Sequence, residues 1–135
     1  MEQPPRRRSF FVALFVAISW MAISFGFAGV LAVALDRDPV ETPVPPYAGL
    51  IGLALAGVVV WLGVGLTARA RAPWIGAVAT AAAVYLMIIG AALLGSFLLF
   101  TEQATSPFVI VAVMLAAVAV AATWFGLRGP RAPAS

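Results

Sequence analysis

Residues 6–15 read RRRSFFVALF and residues 31–38 read LAVALDRD, and no charged residue lies between Arg8 and Asp36. How this stretch is read decides the fold. Arg7, Arg8, Ser9, Phe10 and Phe11 resemble a twin-arginine export signal, and Ala32-Val33-Ala34 matches the A-x-A pattern that signal peptidases cut. A removable signal has an apolar segment of about 7–15 residues, and the run over 9–35 is much longer. A twin-arginine signal also needs a soluble cargo behind it, and the sequence beyond residue 35 offers none. An A-x-A triplet arises easily by chance in so alanine-rich a chain. The stretch therefore reads as a retained first transmembrane helix, anchored at its start by Arg6, Arg7 and Arg8.

The rest of the chain supports that reading. Its 135 residues are 64% hydrophobic and 10% charged, with a mean hydropathy of +1.09. Soluble domains carry about a quarter charged residues, so the bilayer is the expected solvent. Three further apolar runs cover 47–68, 74–100 and 108–127, each free of charge. Crossing a hydrocarbon core of about 30 Å takes roughly 20 helical residues. All four runs are long enough, and none shows the polar–apolar alternation of a barrel strand. The links over 36–46, 69–73 and 101–107 are short and marked by proline and charge, which makes neighbouring helices antiparallel. The expected architecture is an all-α, up-down-up-down bundle of four transmembrane helices in one domain over 1–135, with short basic tails at 1–8 and 128–135.

Charge sets the expected orientation. In an up-down bundle Arg6, Arg7, Arg8, Arg69, Arg71, Arg128 and Arg131 fall on one side, seven of the eight basic residues. Asp36, Asp38, Glu41 and Glu102 fall on the other, with Arg37. The positive-inside rule then puts both termini in the cytoplasm. Lysine and asparagine are both absent. Their codons are AT-rich, so the expected source is a GC-rich bacterium and the expected site its cytoplasmic membrane. A net charge of +3, carried at helix ends, gives no nucleic-acid surface.

The chain has no Cys and no His, which removes disulfides, thiol chemistry and the usual ligands of zinc, copper and haem. No ionisable side chain lies within an apolar run, although intramembrane acid–base and ion-coupling work depends on such groups. No phosphate loop, nucleophile elbow or metal motif is present. No enzyme activity, cofactor or metal is expected. The hydroxyls of Ser19, Thr80, Tyr85 and Thr123 serve to bond helices, since no base is available to activate them.

Two regions stand out as contact candidates. Helix 1 carries Phe10, Phe11, Phe15, Phe25 and Phe27, five of the nine phenylalanines. Its Trp20 lies 12 residues beyond Arg8, about 18 Å into the membrane. Tryptophan prefers the interface, so a mid-membrane indole calls for a carbonyl or hydroxyl on another helix, with Ser24 on the same helical face. Trp20, Ser24 and Phe25 are the candidate partner contacts here; the aromatic helix docks on another protein, lines a lipid-binding groove or simply faces hydrocarbon, where phenylalanine is at ease. The second region is the proline-stiffened loop DRDPVETPVPP over 36–46, with Asp36, Asp38 and Glu41. It lacks the turn glycine and distal glutamate of a calcium loop and reads either as a solvated loop that sets topology or as a rigid docking segment.

Small residues recur at four-residue spacing as Ala22/Gly26, Gly52/Ala56, Ala91/Gly95, Ala92/Ser96 and Ala122/Gly126, a spacing that lets helices approach closely. Trp61-Leu62-Gly63 echoes Trp124-Phe125-Gly126, and Arg71-Ala72-Pro73 echoes Arg131-Ala132-Pro133, as a duplicated hairpin would. The expected role is a non-catalytic accessory subunit, assembly factor or stabiliser of a larger membrane complex. The competing expectation is a homo-oligomeric transporter or pore for a neutral or lipophilic molecule. The expected partners are membrane lipid and a membrane protein or further copies of the chain.

Overall fold

A computed structural model describes residues 5–129. The anchor expected of Arg131 lies outside the described residues, as does the side chain of Arg6. The chain folds into α1 (Pro5–Leu35), α2 (Ala48–Thr67), α3 (Pro73–Gly95), a short α4 (Phe97–Ala104) and α5 (Pro107–Leu127). Prolines open α1, α3 and α5, where the missing N–H costs nothing and the fixed φ suits a helix. α1, α2, α3 and α5 are each long and apolar enough to cross a membrane. They pack in the ring order α1–α2–α3–α5, with α2 and α5 also touching across it, and α4 lies against α3.

Two boundaries differ from expectation. α1 begins at Pro5 rather than near residue 9, so Arg6–Arg8 belong to its opening turns and not to a tail. Its 31 residues extend about 46 Å at 1.5 Å each, more than one hydrocarbon core. The third apolar run does not continue as one helix to Phe100. It stops at Gly95; Ser96 turns to extended backbone (φ −167°, ψ 155°), and α4 starts at Phe97. The Ser96 hydroxyl accepts the Leu99 N–H at 3.0 Å. A serine with this choice caps a new helix rather than continuing an old one.

The core is built from small side chains at helical spacing: Ala13, Ala17 and Trp20 on α1, Ala56, Val60 and Val64 on α2, Ala77 and Val84 on α3, and Ala116 and Val120 on α5. Apart from Trp20, nothing in this set is larger than valine. Gly63 and Thr67 on α2 meet Thr80 and Gly76 on α3 reciprocally: a Cβ on Gly63 would overlap the Thr80 side chain, and a Cβ on Gly76 would overlap Thr67. Two antiparallel Gly-xxx-Thr segments thus seat each threonine in the gap left by the other's glycine. This brings the backbones close, which drives helix association where lipid removes the hydrophobic incentive. Gly57 likewise receives Met21, and Gly65 receives Phe10. The glycines of the expected small pairs do not do this. Gly26, Gly52 and Gly126 have no neighbour within 4 Å, and Gly95 meets Leu99 of the adjoining α4.

Three tryptophan indoles bind the helices by their N–H groups. Trp20 donates to the Ala112 carbonyl, Trp61 to that of Phe10 and Trp124 to that of Ala70, each at 3.0 Å. Trp61 and Trp124, which open the two echoed triplets, reach different kinds of acceptor: Phe10 lies within the opening turns of α1, and Ala70 lies in the link between α2 and α3. The bundle's outer faces are apolar, with Val33, Ile75 and Leu94 more than 80% exposed. A surface of this kind suits hydrocarbon and not water. The chain is a multi-pass membrane protein. One end of the bundle holds Arg7, Arg8, Arg69, Arg71 and Arg128; the other holds Asp36, Arg37, Asp38, Glu41 and Glu102.

Candidate functional site

The three contact candidates on α1 separate in the structure. Trp20 is 2% exposed and its indole is engaged by α5 through Ala112, so the carbonyl expected for a mid-membrane tryptophan is present and belongs to the chain itself. Ser24 is also buried, and its hydroxyl has no hydrogen-bond partner. Both residues face into the bundle. Phe25 faces out and is 67% exposed, as Phe15 is at 71%. The side of α1 turned away from the core therefore carries Phe11, Phe15 and Phe25 together with Ala22, Gly26 and Gly29, and neither glycine has a neighbour within 4 Å.

The acidic end is organised by α4. Asp36 ends α1 in the left-handed region (φ 48°), and the Arg37 N–H reaches back to the Ala32 carbonyl at 3.1 Å. This is the hydrogen bond of a Schellman stop, with aspartate where glycine is usual. The Ala32-Val33-Ala34 triplet lies inside the last turns of α1. Beyond it, Glu102 of α4 holds the loop. Its carboxylate accepts the Glu41 N–H at 2.6 Å, the Thr42 N–H at 3.0 Å and the Thr42 hydroxyl at 2.6 Å. Gln103 donates to the Pro39 carbonyl at 3.1 Å, and the Tyr85 hydroxyl donates to Ala104 at 2.8 Å. Desolvation raises the Glu102 pKa, but the bonds from Thr42 and Glu41 and the nearby Arg37 charge outweigh it, and the net shift is downward.

The three loop carboxylates do not converge. Glu41 pairs with Arg37 at 2.7 Å, and Asp36 and Asp38 point outward. Among the described residues no group of three His, Cys, Asp or Glu side chains is placed to share a metal ion. The sequence reading missed Glu102 and Gln103 as loop holders. The available signal was a charged residue in a short link, which says nothing of what the charge will touch.

At the opposite end Arg128 acts within the fold. Its guanidinium donates to the Ala70 carbonyl at 2.6 Å and lies 4.2 Å from the Trp124 ring centroid, a cation–π stack. Trp124 and Trp74 both meet Phe125 edge-on, and the Trp74 contact ties α5 to the start of α3, while the bonds to Ala70 tie it to the α2–α3 link. Arg7, Arg8, Arg69 and Arg71 are exposed. Comparison of the chain with protein-family models, curated proteins and solved structures finds no match.

Proposed function

We propose that this protein is a non-catalytic accessory subunit, assembly factor or stabiliser of a larger membrane complex. In this reading it lies in a bacterial cytoplasmic membrane with both termini in the cytoplasm, as the arginine-rich end favours. The observation that carries the proposal is the outward face of α1. Phenylalanine ridges at Phe11, Phe15 and Phe25 stand beside open small positions at Ala22, Gly26 and Gly29. Helices associate in lipid by fitting ridges into such gaps. Trp20, through Ala112, and the threonines of the α2–α3 clasp serve the bundle's own packing. The held loop over 36–46, with Asp36 and Asp38 outward, is a second contact surface on the same helix end.

The test is native mass spectrometry of the tagged full chain released from its own membranes in mild detergent. A different membrane protein bound stoichiometrically, and lost on Gly26→Leu, supports the proposal. A discrete homo-oligomer with no other protein moves the reading to transport of a neutral or lipophilic molecule.

A further inference from the structure

α1 and α5 do not close over their whole length. Beside the Trp20–Ala112 bond they leave a groove of about 350 Å³, with Phe15, Ser19 and Ile23 on one wall and Val118, Ala122 and Thr123 on the other. The groove is almost wholly apolar. Thr123 commits its hydroxyl to the Ala119 carbonyl at 2.7 Å.

Followed toward the start of α1 in steps of three and four residues, this wall runs from Ile23 through Ser19, Phe15 and Val12 to Arg8. Such steps stay on one helical face. Arg8 lies about 10 Å beyond Phe15 along the axis. It is exposed and has no ion-pair partner among the described residues. Arg7, Arg69, Arg71 and Arg128 share its end of the bundle, and every described carboxylate lies at the other end.

An apolar groove alone selects nothing in a membrane, because lipid tails already surround it. The groove's own lining stops at Phe15, but a guanidinium without an ion-pair partner on the same helical face, about 10 Å further along, does select, because it adds a bidentate partner for phosphate. From Arg8 to Ile23 is about 22 Å, enough for a headgroup contact with an extended tail below it. We propose that the α1–α5 groove holds an acyl chain of an anionic phospholipid whose phosphate is gripped by Arg8. This inference is independent of the accessory role and of which leaflet the arginine end faces.

The full chain would be reconstituted in nanodiscs of phosphatidylglycerol and phosphatidylcholine in equal parts. Retained lipids would then be identified by native mass spectrometry. The expected result is about fivefold enrichment of phosphatidylglycerol, the attraction of one arginine to an anionic headgroup. Arg8→Gln, at an exposed position that does not threaten folding, should bring the ratio to parity, and Arg69→Gln, off the groove, should leave it enriched. Ala122→Phe should fill the groove and reduce retained lipid of both kinds. Equal retention of the two lipids by the unaltered chain, or enrichment that survives Arg8→Gln, overturns the proposal. So does a polypeptide found in the groove by photo-crosslinking from position 19 in native membranes.

Discussion

Trp20 carries an N–H group into the apolar layer, and the Ala112 carbonyl receives it. That carbonyl sits inside α5, so its own helix can satisfy it, and loss of the indole leaves no orphan acceptor. Trp20→Phe should therefore cost about 1 kcal/mol in stability, read as a lower thermal midpoint in detergent. Trp74→Phe should change little, since Trp74 is 63% exposed. Ser24 presents the opposite case. Its buried hydroxyl has no partner, and a buried polar group without one is destabilising. Ser24→Ala should be neutral or stabilising by up to about 1 kcal/mol in the same melt. A clear loss would show that Ser24 binds something outside the chain. The sequence pointed to both residues and to their shared face. It did not show that the face turns inward, because α1 is apolar all round and periodicity has no polar side against which to register.

At the scale of elements, the α2–α3 hairpin is held by paired Gly-xxx-Thr segments. Gly63→Leu should force Thr80 from its seat and cost about 1–3 kcal/mol by overpacking, whereas Gly52→Leu, with open space around it, should be tolerated. Thermal unfolding of the two variants side by side distinguishes them. Small-residue spacing was visible in the sequence at many places, and the sequence reading did not single out Gly63/Thr67 and Gly76/Thr80. In an alanine- and glycine-rich chain the spacing is common, and only the facing helix decides which instance matters. The break at Ser96 was legible in principle, since Gly-Ser followed by a helix-forming run is a stop and a cap. It was obscured because the apolar character continues through Phe100.

α4 and the loop over 36–46 also form a unit, with Glu102 as its tie. Because the folded pKa of Glu102 is lowered from 4.5, its contribution is present above the unfolded value and is lost as pH falls through the folded one. A nitroxide placed by Asp38→Cys, in a chain without cysteine, should be restrained at neutral pH and become mobile only in acid, below the ordinary carboxylate range. Adding Glu102→Gln should make the label mobile already at neutral pH and remove the acid step.

For the whole molecule, the bundle separates charge along its axis, with guanidiniums at one end and the described carboxylates at the other. If the arginine end faces the cytoplasm, a cysteine at position 71 should be shielded from an impermeant reagent in intact cells and one at position 38 should react. The reverse pattern would invert the proposed topology while leaving the fold as it stands. The sequence by itself determined that this protein spans a membrane four times with antiparallel neighbours. Span length, freedom from charge and link length are properties of the chain alone, fixed by the thickness of the hydrocarbon layer. Only the tertiary structure decided which face of each span is core, which glycines receive a neighbour, where Trp20 spends its N–H and what Glu102 holds. Those outcomes depend on contacts between residues tens of positions apart, and in a helix apolar on every side no local pattern encodes them.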